Sequence, residues 1–342
     1  MPVPTSRLRE LPKVELHVHI EGTLEPELVL ELARDAGIAL PYRDADTLRG
    51  RYVFADLQSF LDIYYENLGV LRRRHDFARL AYQYASRAHA GGVVHAEVFF
   101  DPQAHRSRGV AVADVVAGLV EGFDRAFGEF GFTTELIACF LRDRPVAEAL
   151  ETLDELTACR AAIVGVGLDS AEVGHPASLF TEVFARAADL GLRRVAHAGE
   201  EGGPDSVRAA IDHLGVERVD HGIRSVDDPD LVAELVARQM PLTVCPLSNV
   251  RLQAVADLAV HPLPDLIAAG VLVTINSDDP AYFGGYADDN FAVVADAFAL
   301  DDPALAALAD NSVTASFLPD ARKAELRSRI AAWLAGGRDP VR

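Results

Sequence analysis

The sequence predicts a single domain, residues 1–342, folded as an α/β (β/α)8 TIM barrel, and three observations predict it. Eight short β-type runs alternate with amphipathic helical stretches, which implies βαβ units and a parallel sheet. No linker interrupts the eight units, which favours a closed barrel over an open doubly wound sheet. No glycine-rich phosphate loop follows the first run, which weakens the open sheet further.

The first run, Val14–Ile20, alternates apolar and polar residues, the period of a strand. The others are Val93–Phe100, Thr133–Leu141, Ile163–Leu168, Arg194–Ala198, Arg218–His221, Leu242–Cys245 and Leu272–Asn276. Between them, helical segments are expected at Glu25–Asp35, Ala111–Phe127, Ala147–Cys159, Ser178–Leu190, Asp205–His213, Asp230–Arg238 and Pro264–Ala269. About seventy residues separate the first two strands, too many for a simple crossover. Within this insertion (41–92), Asp56–Tyr65 has the apolar spacing of a helix, read as a rim helix that also serves as a lid over the catalytic face. Further helices are expected over 288–336, and Gly336–Pro340 reads as a frayed tail.

Half of the 342 residues are hydrophobic and a quarter charged, enough for a large core. A formal net charge of −20 repels phosphate backbones and anionic lipid, so neither nucleic acid nor a membrane surface is an expected partner. A small, largely uncharged substrate suits it better. Cys139, Cys159 and Cys245 form neither a disulfide framework nor a Cys-x-x-Cys knuckle. With no signal-peptide stretch in residues 1–12 and no membrane-length apolar window, a cytoplasmic location is expected.

His17 and His19 share one face of the first strand, so both imidazoles can reach one divalent ion. In a (β/α)8 barrel the C-terminal strand ends converge on one cavity. His197 ends the fifth run, His221 the sixth, and Asp278 follows the eighth. Three histidines and a carboxylate (His17, His19, His197, Asp278) would bind zinc and leave a position for water. Glu200, beyond an Ala-Gly turn, would donate a proton from a dry pocket. His221 would accept a proton from water or hold hydroxide by electrostatics, and Asp279 would accept a hydrogen bond from substrate. The only lysines, Lys13 and Lys323, lie far from the fourth strand, so one ion per chain is expected and not a lysine-bridged pair.

The runs PKVELHVH (12–19), HAGE (197–200), DHG (220–222), CPLSN (245–249) and SDDP (277–280) resemble the adenosine/adenine deaminase family in order and spacing, over nearly the whole chain. The resemblance implies a zinc-bearing barrel that hydrolyses the 6-amino group of an aminopurine. It implies zinc on His17, His19, His197 and Asp278, Glu200 donating to the purine ring, His221 assisting the hydroxide and Asp279 contacting the purine. Residues 99–105, 167–176 and 279–286 look like the adenine deaminase branch. Glu21 stands where nucleoside deaminases carry a ribose-contacting aspartate, and its extra methylene would extend into the sugar space; the run ending in Ser170 replaces a glycine-bearing segment at the purine edge. The expected reaction is conversion of adenine to hypoxanthine and ammonia in purine salvage. Adenosine, aminodeoxyfutalosine or another 6-aminopurine derivative is the alternative substrate, and the oligomeric state stays open.

Overall fold

A computed structural model describes residues 5–336. Its eight strands are β1 (Lys13–Glu15), β2 (Val93–Phe100), β3 (Thr133–Leu141), β4 (Ile163–Asp169), β5 (Arg193–Ala198), β6 (Arg218–His221), β7 (Leu242–Val244) and β8 (Val273–Ile275). They pair parallel in chain order to form a (β/α)8 barrel. Helices cover the outer face and side chains fill the interior, so strands such as β2 are buried along their whole length. Phe99, Ile137, Cys139 and Val195 form the packed interior, and Phe317 plugs it from below.

β1 stops at Glu15, five residues short of the expected end, because side chains take over from the backbone ladder at the seam with β8. Asn276 Oδ1 accepts the Leu16 N–H at 2.8 Å, and Glu15 Oε1 accepts the Ser277 N–H at 3.2 Å. One bridge, Val18 with Asp278, closes the barrel, flanked by Asp278 N–H to His17 O and His19 N–H to Asp278 O, both 3.0 Å. β8 is shortened for the same reason and ends at Ile275.

The insertion after β1 holds helices Pro26–Ala36, Ala45–Arg49, Leu57–Asn67 and Arg74–Ala90. Asp56 caps the third by accepting the Ser59 N–H at 2.8 Å, and Phe60 and Tyr64 on its buried face pack against Tyr282, just after β8. Helices Ala287–Ala297, Asp302–Ala315 and Asp320–Leu334 complete the chain. Asp302–Ala315 covers β8 and β1, and Trp333 Nε1–H donates to Arg7 O at 2.9 Å, fixing the last helix on the N-terminal one. Most of the expected tail lies outside the described residues. No helix among those described is long and apolar enough to cross a membrane.

At the floor of the barrel, Arg218 at the start of β6 donates to the Glu97 carboxylate on β2, both fully buried. Arg218 also donates to Ala315 O at 3.2 Å and lies over the Phe317 ring. Burial opposes ionisation of Glu97, but the Arg218 charge, His95 and the Phe317 N–H together outweigh it and hold the carboxyl down to about 2.

Candidate active site

The strand ends bring His17, His19, His197, His221 and Asp278 together at the top of the barrel. His17, His197, His221 and Asp278 offer donor atoms within 4.8 Å of one another. His19 Nε2 lies 3.1 Å from His197 Nε2 and 3.5 Å from Asp278 Oδ1, and His17 Nε2 lies 3.2 Å from that same oxygen. Ligand bonds of about 2.0–2.1 Å in a tetrahedron set donor atoms roughly 3.3–3.4 Å apart, so this spacing suits a coordination shell.

The hydrogen bonds behind the cluster fit a cation as well. Thr243 Oγ1 donates to Asp220 Oδ1 at 2.8 Å and so accepts the Nδ1–H of His17 at 2.9 Å. The His17 Nε2 lone pair then faces a carboxylate oxygen, which is repulsive unless a proton or a metal ion lies between them. The second Asp220 oxygen sits 3.7 Å from His197 Nδ1, so one buried carboxylate backs two imidazoles. Arg142 Nη1 donates to His197 O at 2.7 Å and anchors the end of β5. Burial lowers His19 and His221 to about 3, leaving both imidazoles neutral. Asp278 is pushed up by burial but held well below the carboxylate range by the surrounding histidines, His17 foremost.

Backbone conformation aims these groups. Asp278, His221 and Ser170 all have left-handed φ angles, 65°, 63° and 71°, uncommon for residues with a Cβ and frequent at functional sites. Gly22 permits a close approach that no other residue would, since a Cβ there would lie 2.6 Å from the Asp279 Cα.

The turn after β5 carries Glu200, and Glu172 organises it. Glu172 Oε1 accepts the Gly199 N–H at 2.8 Å and the Ser206 hydroxyl. Its Oε2 accepts the N–H groups of Glu200, Glu201 and Gly202 at 3.2, 2.9 and 2.9 Å. The Glu200 carboxyl is thereby aimed into a cavity shared with His19, His197, His221, Asp278 and Asp279. Burial, reinforced by the Asp278 charge, pushes Glu200 well above the carboxylate range, and Asp279 likewise. Both are held as acids. Glu200 Oε1, Asp279 Oδ1, Asp101 Oδ1, Asp169 Oδ1 and His221 Nε2 are buried with no protein hydrogen-bond partner among the described residues. Such orphans at one cavity call for a polar ligand.

Ser170 lines this cavity and Glu21 does not. Expected in the space beside the substrate, Glu21 instead lies one layer behind the wall, where Oε1 accepts the Asp101 N–H at 3.0 Å and bonds His105 Nε2 at 2.7 Å. Asp101 and Asp169 form the wall in its place. Burial, with the Glu21 charge second, raises Asp101 to about 7. Both aspartates, like Glu172, fall within or beside the runs singled out in the sequence, at the ends of β2 and β4. Their position at strand ends was the signal available. Leu57, Phe60, Leu61, Tyr64 and Tyr65 of the Leu57–Asn67 helix form the opposite wall.

Fold and site together define a class, barrel hydrolases whose strand ends carry a histidine–aspartate cluster. The profile of the adenosine deaminase family matches residues 12–333, and the chain belongs to that family. It is 56% identical to an adenine deaminase of Streptomyces coelicolor, covering 99% of each chain. It is 52% identical to an adenine deaminase of Rhodospirillum rubrum, over 97% of this chain and 99% of that one. The crystal structure of an adenine deaminase from Arthrobacter aurescens superposes with a TM-score of 0.93 at 55% identity, over 95% of this chain and 99% of that one. An amidohydrolase from Burkholderia ambifaria with bound Zn superposes with a TM-score of 0.91 at 29% identity, over 98% and 94%.

Proposed function

We propose that the chain is a hydrolytic adenine deaminase: water adds at C6 of adenine, the 6-amino group leaves as ammonia, and hypoxanthine remains. The observation that carries this reading is Glu200, a buried carboxyl kept as the acid, its Oε1 lacking a protein partner, in the cavity that meets the histidine–aspartate cluster. An acid there holds a proton at the purine N1 and so lowers the cost of breaking aromaticity as C6 becomes tetrahedral. Asp279, on the side of Asp278, contacts the imidazole edge of the ring, and the aromatic wall from Phe60 to Tyr65 keeps bulk water out.

His17, His19, His197 and Asp278 would hold one zinc ion, a donor set in keeping with the Zn of the related amidohydrolase. Bound there, zinc supplies a Lewis acid that makes water a competent nucleophile near neutral pH. No lysine or arginine lines the cavity, while five carboxyl groups do, which favours an uncharged base over a phosphorylated substrate. The names of the relatives, adenine deaminases at 52% and 56% identity, support the same substrate.

The test is a panel of adenine, adenosine and larger 6-aminopurines on zinc-loaded protein, following absorbance and ammonia together. Stoichiometric hypoxanthine and ammonia are expected from adenine, with kcat/KM at least about 10²-fold above that for adenosine. Equal or better turnover of adenosine would replace the free base by the nucleoside.

A further inference from the structure

His221 could serve in two opposite ways, as a base that takes a proton from water or as a donor that stabilises oxygen, and a chain of hydrogen bonds behind it distinguishes them. The chain starts at a backbone amide, which can only donate. The Leu263 N–H donates to His261 Nδ1 at 3.0 Å, so neutral His261 carries its proton on Nε2. Burial lowers His261 to about 4, which keeps it neutral. His261 Nε2 therefore donates to Asn249 Oδ1 at 3.2 Å, and this orients the amide. Asn249 Nδ2 in turn donates to His221 Nδ1 at 3.3 Å. All three side chains are buried, so water does not compete for these bonds.

We propose that Asn249 and His261 are positioning residues that hold His221 as its neutral Nε2–H tautomer, a hydrogen-bond donor to the oxygen that adds at C6 and not the base that deprotonates water. The inference rests on the deaminase reading for the identity of that oxygen, whereas the tautomer stands on the hydrogen bonds alone. A proton on Nδ1, in the other neutral tautomer or in the imidazolium, would face the amide N–H of Asn249 with no acceptor between them. The Nε2–H points to where chemistry occurs, 3.6 Å from Glu200 Oε2 and 3.9 Å from Asp278 Oδ2, and has no protein partner among the described residues. The same proton keeps His221 out of the ligand set although its ring lies within the cluster, and leaves His19 to complete it.

Nitrogen NMR of zinc-loaded, [15N]histidine-labelled protein at pH 7 reads the tautomer directly, with the His221 signals assigned by their loss in His221→Gln. A protonated Nε2 and a bare Nδ1 are expected. A protonated Nδ1, alone or in the imidazolium, overturns the proposal. Asn249→Asp supplies the functional arm, because a carboxylate can only accept and draws the proton to Nδ1. Its kcat for adenine is expected to fall about 10- to 100-fold with KM within about 3-fold, at unchanged zinc content and Tm. An unchanged kcat in a variant whose His221 proton has moved also overturns it. Wild-type protein inactive on adenine would remove the deaminase reading while leaving the NMR result to decide the tautomer.

Discussion

The two ends of the barrel bury charge in opposite ways. At the floor, Glu97 and Arg218 neutralise each other inside the packed interior, and Ala315 O takes a further guanidinium proton. At the top, Asp101, Asp169, Glu200, Asp278 and Asp279 share a cavity that no cationic side chain lines. The β2–β3 ladder is regular from His95–Thr133 to Phe100–Ala138, while the β8–β1 seam bearing His17, His19 and Asp278 closes through one bridge and a left-handed Asp278. The paired end stabilises the fold, whereas the unpaired end is the one proposed to take a cation and a substrate, which matches the division of labour between the two faces of such barrels.

Breaking the top end should cost activity and spare the fold. Asp278→Asn removes the carboxylate shared by His17 and His19, and we expect turnover to fall by about 10³-fold or more with loss of metal, read by steady-state assay and elemental analysis. Breaking the floor should do the reverse. Arg218→Met strands Glu97 in the interior and should destabilise the fold by about 3–5 kcal/mol in urea, with kcat of the folded fraction within about 3-fold of wild type. If kcat collapsed with it, the two ends would not be separable.

Acid sharpens the contrast. Glu97, ordinarily near 4.5 and held down to about 2 in the fold, contributes stability that is present above pH 4.5 and lost as the pH falls toward 2. Asp101, ordinarily near 3.8 and raised to about 7, works in the opposite sense: its burial weakens the fold as pH rises from about 4 through 7. Between pH 5 and pH 8, metal-free Asp101→Asn should therefore gain Tm relative to metal-free wild type, and equal pH slopes in the two proteins would contradict the raised Asp101. A smaller effect is expected from Glu172→Gln, which takes acceptors from the 199–202 turn without touching substrate. Activity should drop about 10-fold at unchanged metal content.

How much of this was legible in the sequence follows the same division. His17, His19, His197 and Asp278 could be brought together because strand ends of a barrel converge, so chain order alone placed them. Glu97 and Arg218 meet across the interior from β2 and β6, a partnership that no periodicity encodes. Glu21 was misplaced because its extra methylene was read as reach into the cavity, when His105 and the Asp101 amide hold it behind the wall. Asn249 was visible in its run, but its purpose depends on His261, twelve residues further on and brought back by the turn before helix Leu263–Ala268. Apolar spacing placed a helix at Asp56–Tyr65 in the long insertion, and the structure carries one at Leu57–Asn67, because that spacing is a local signal.

One substitution addresses Glu200 as the acid beside the histidine–aspartate cluster. Glu200→Gln keeps the size of the side chain and the turn held by Glu172 but cannot hand over a proton. Measured as kcat for adenine at matched zinc content, it should fall by about 10²-fold or more with Tm essentially unchanged. Near-wild-type turnover in a fully metallated Glu200→Gln protein would contradict the account.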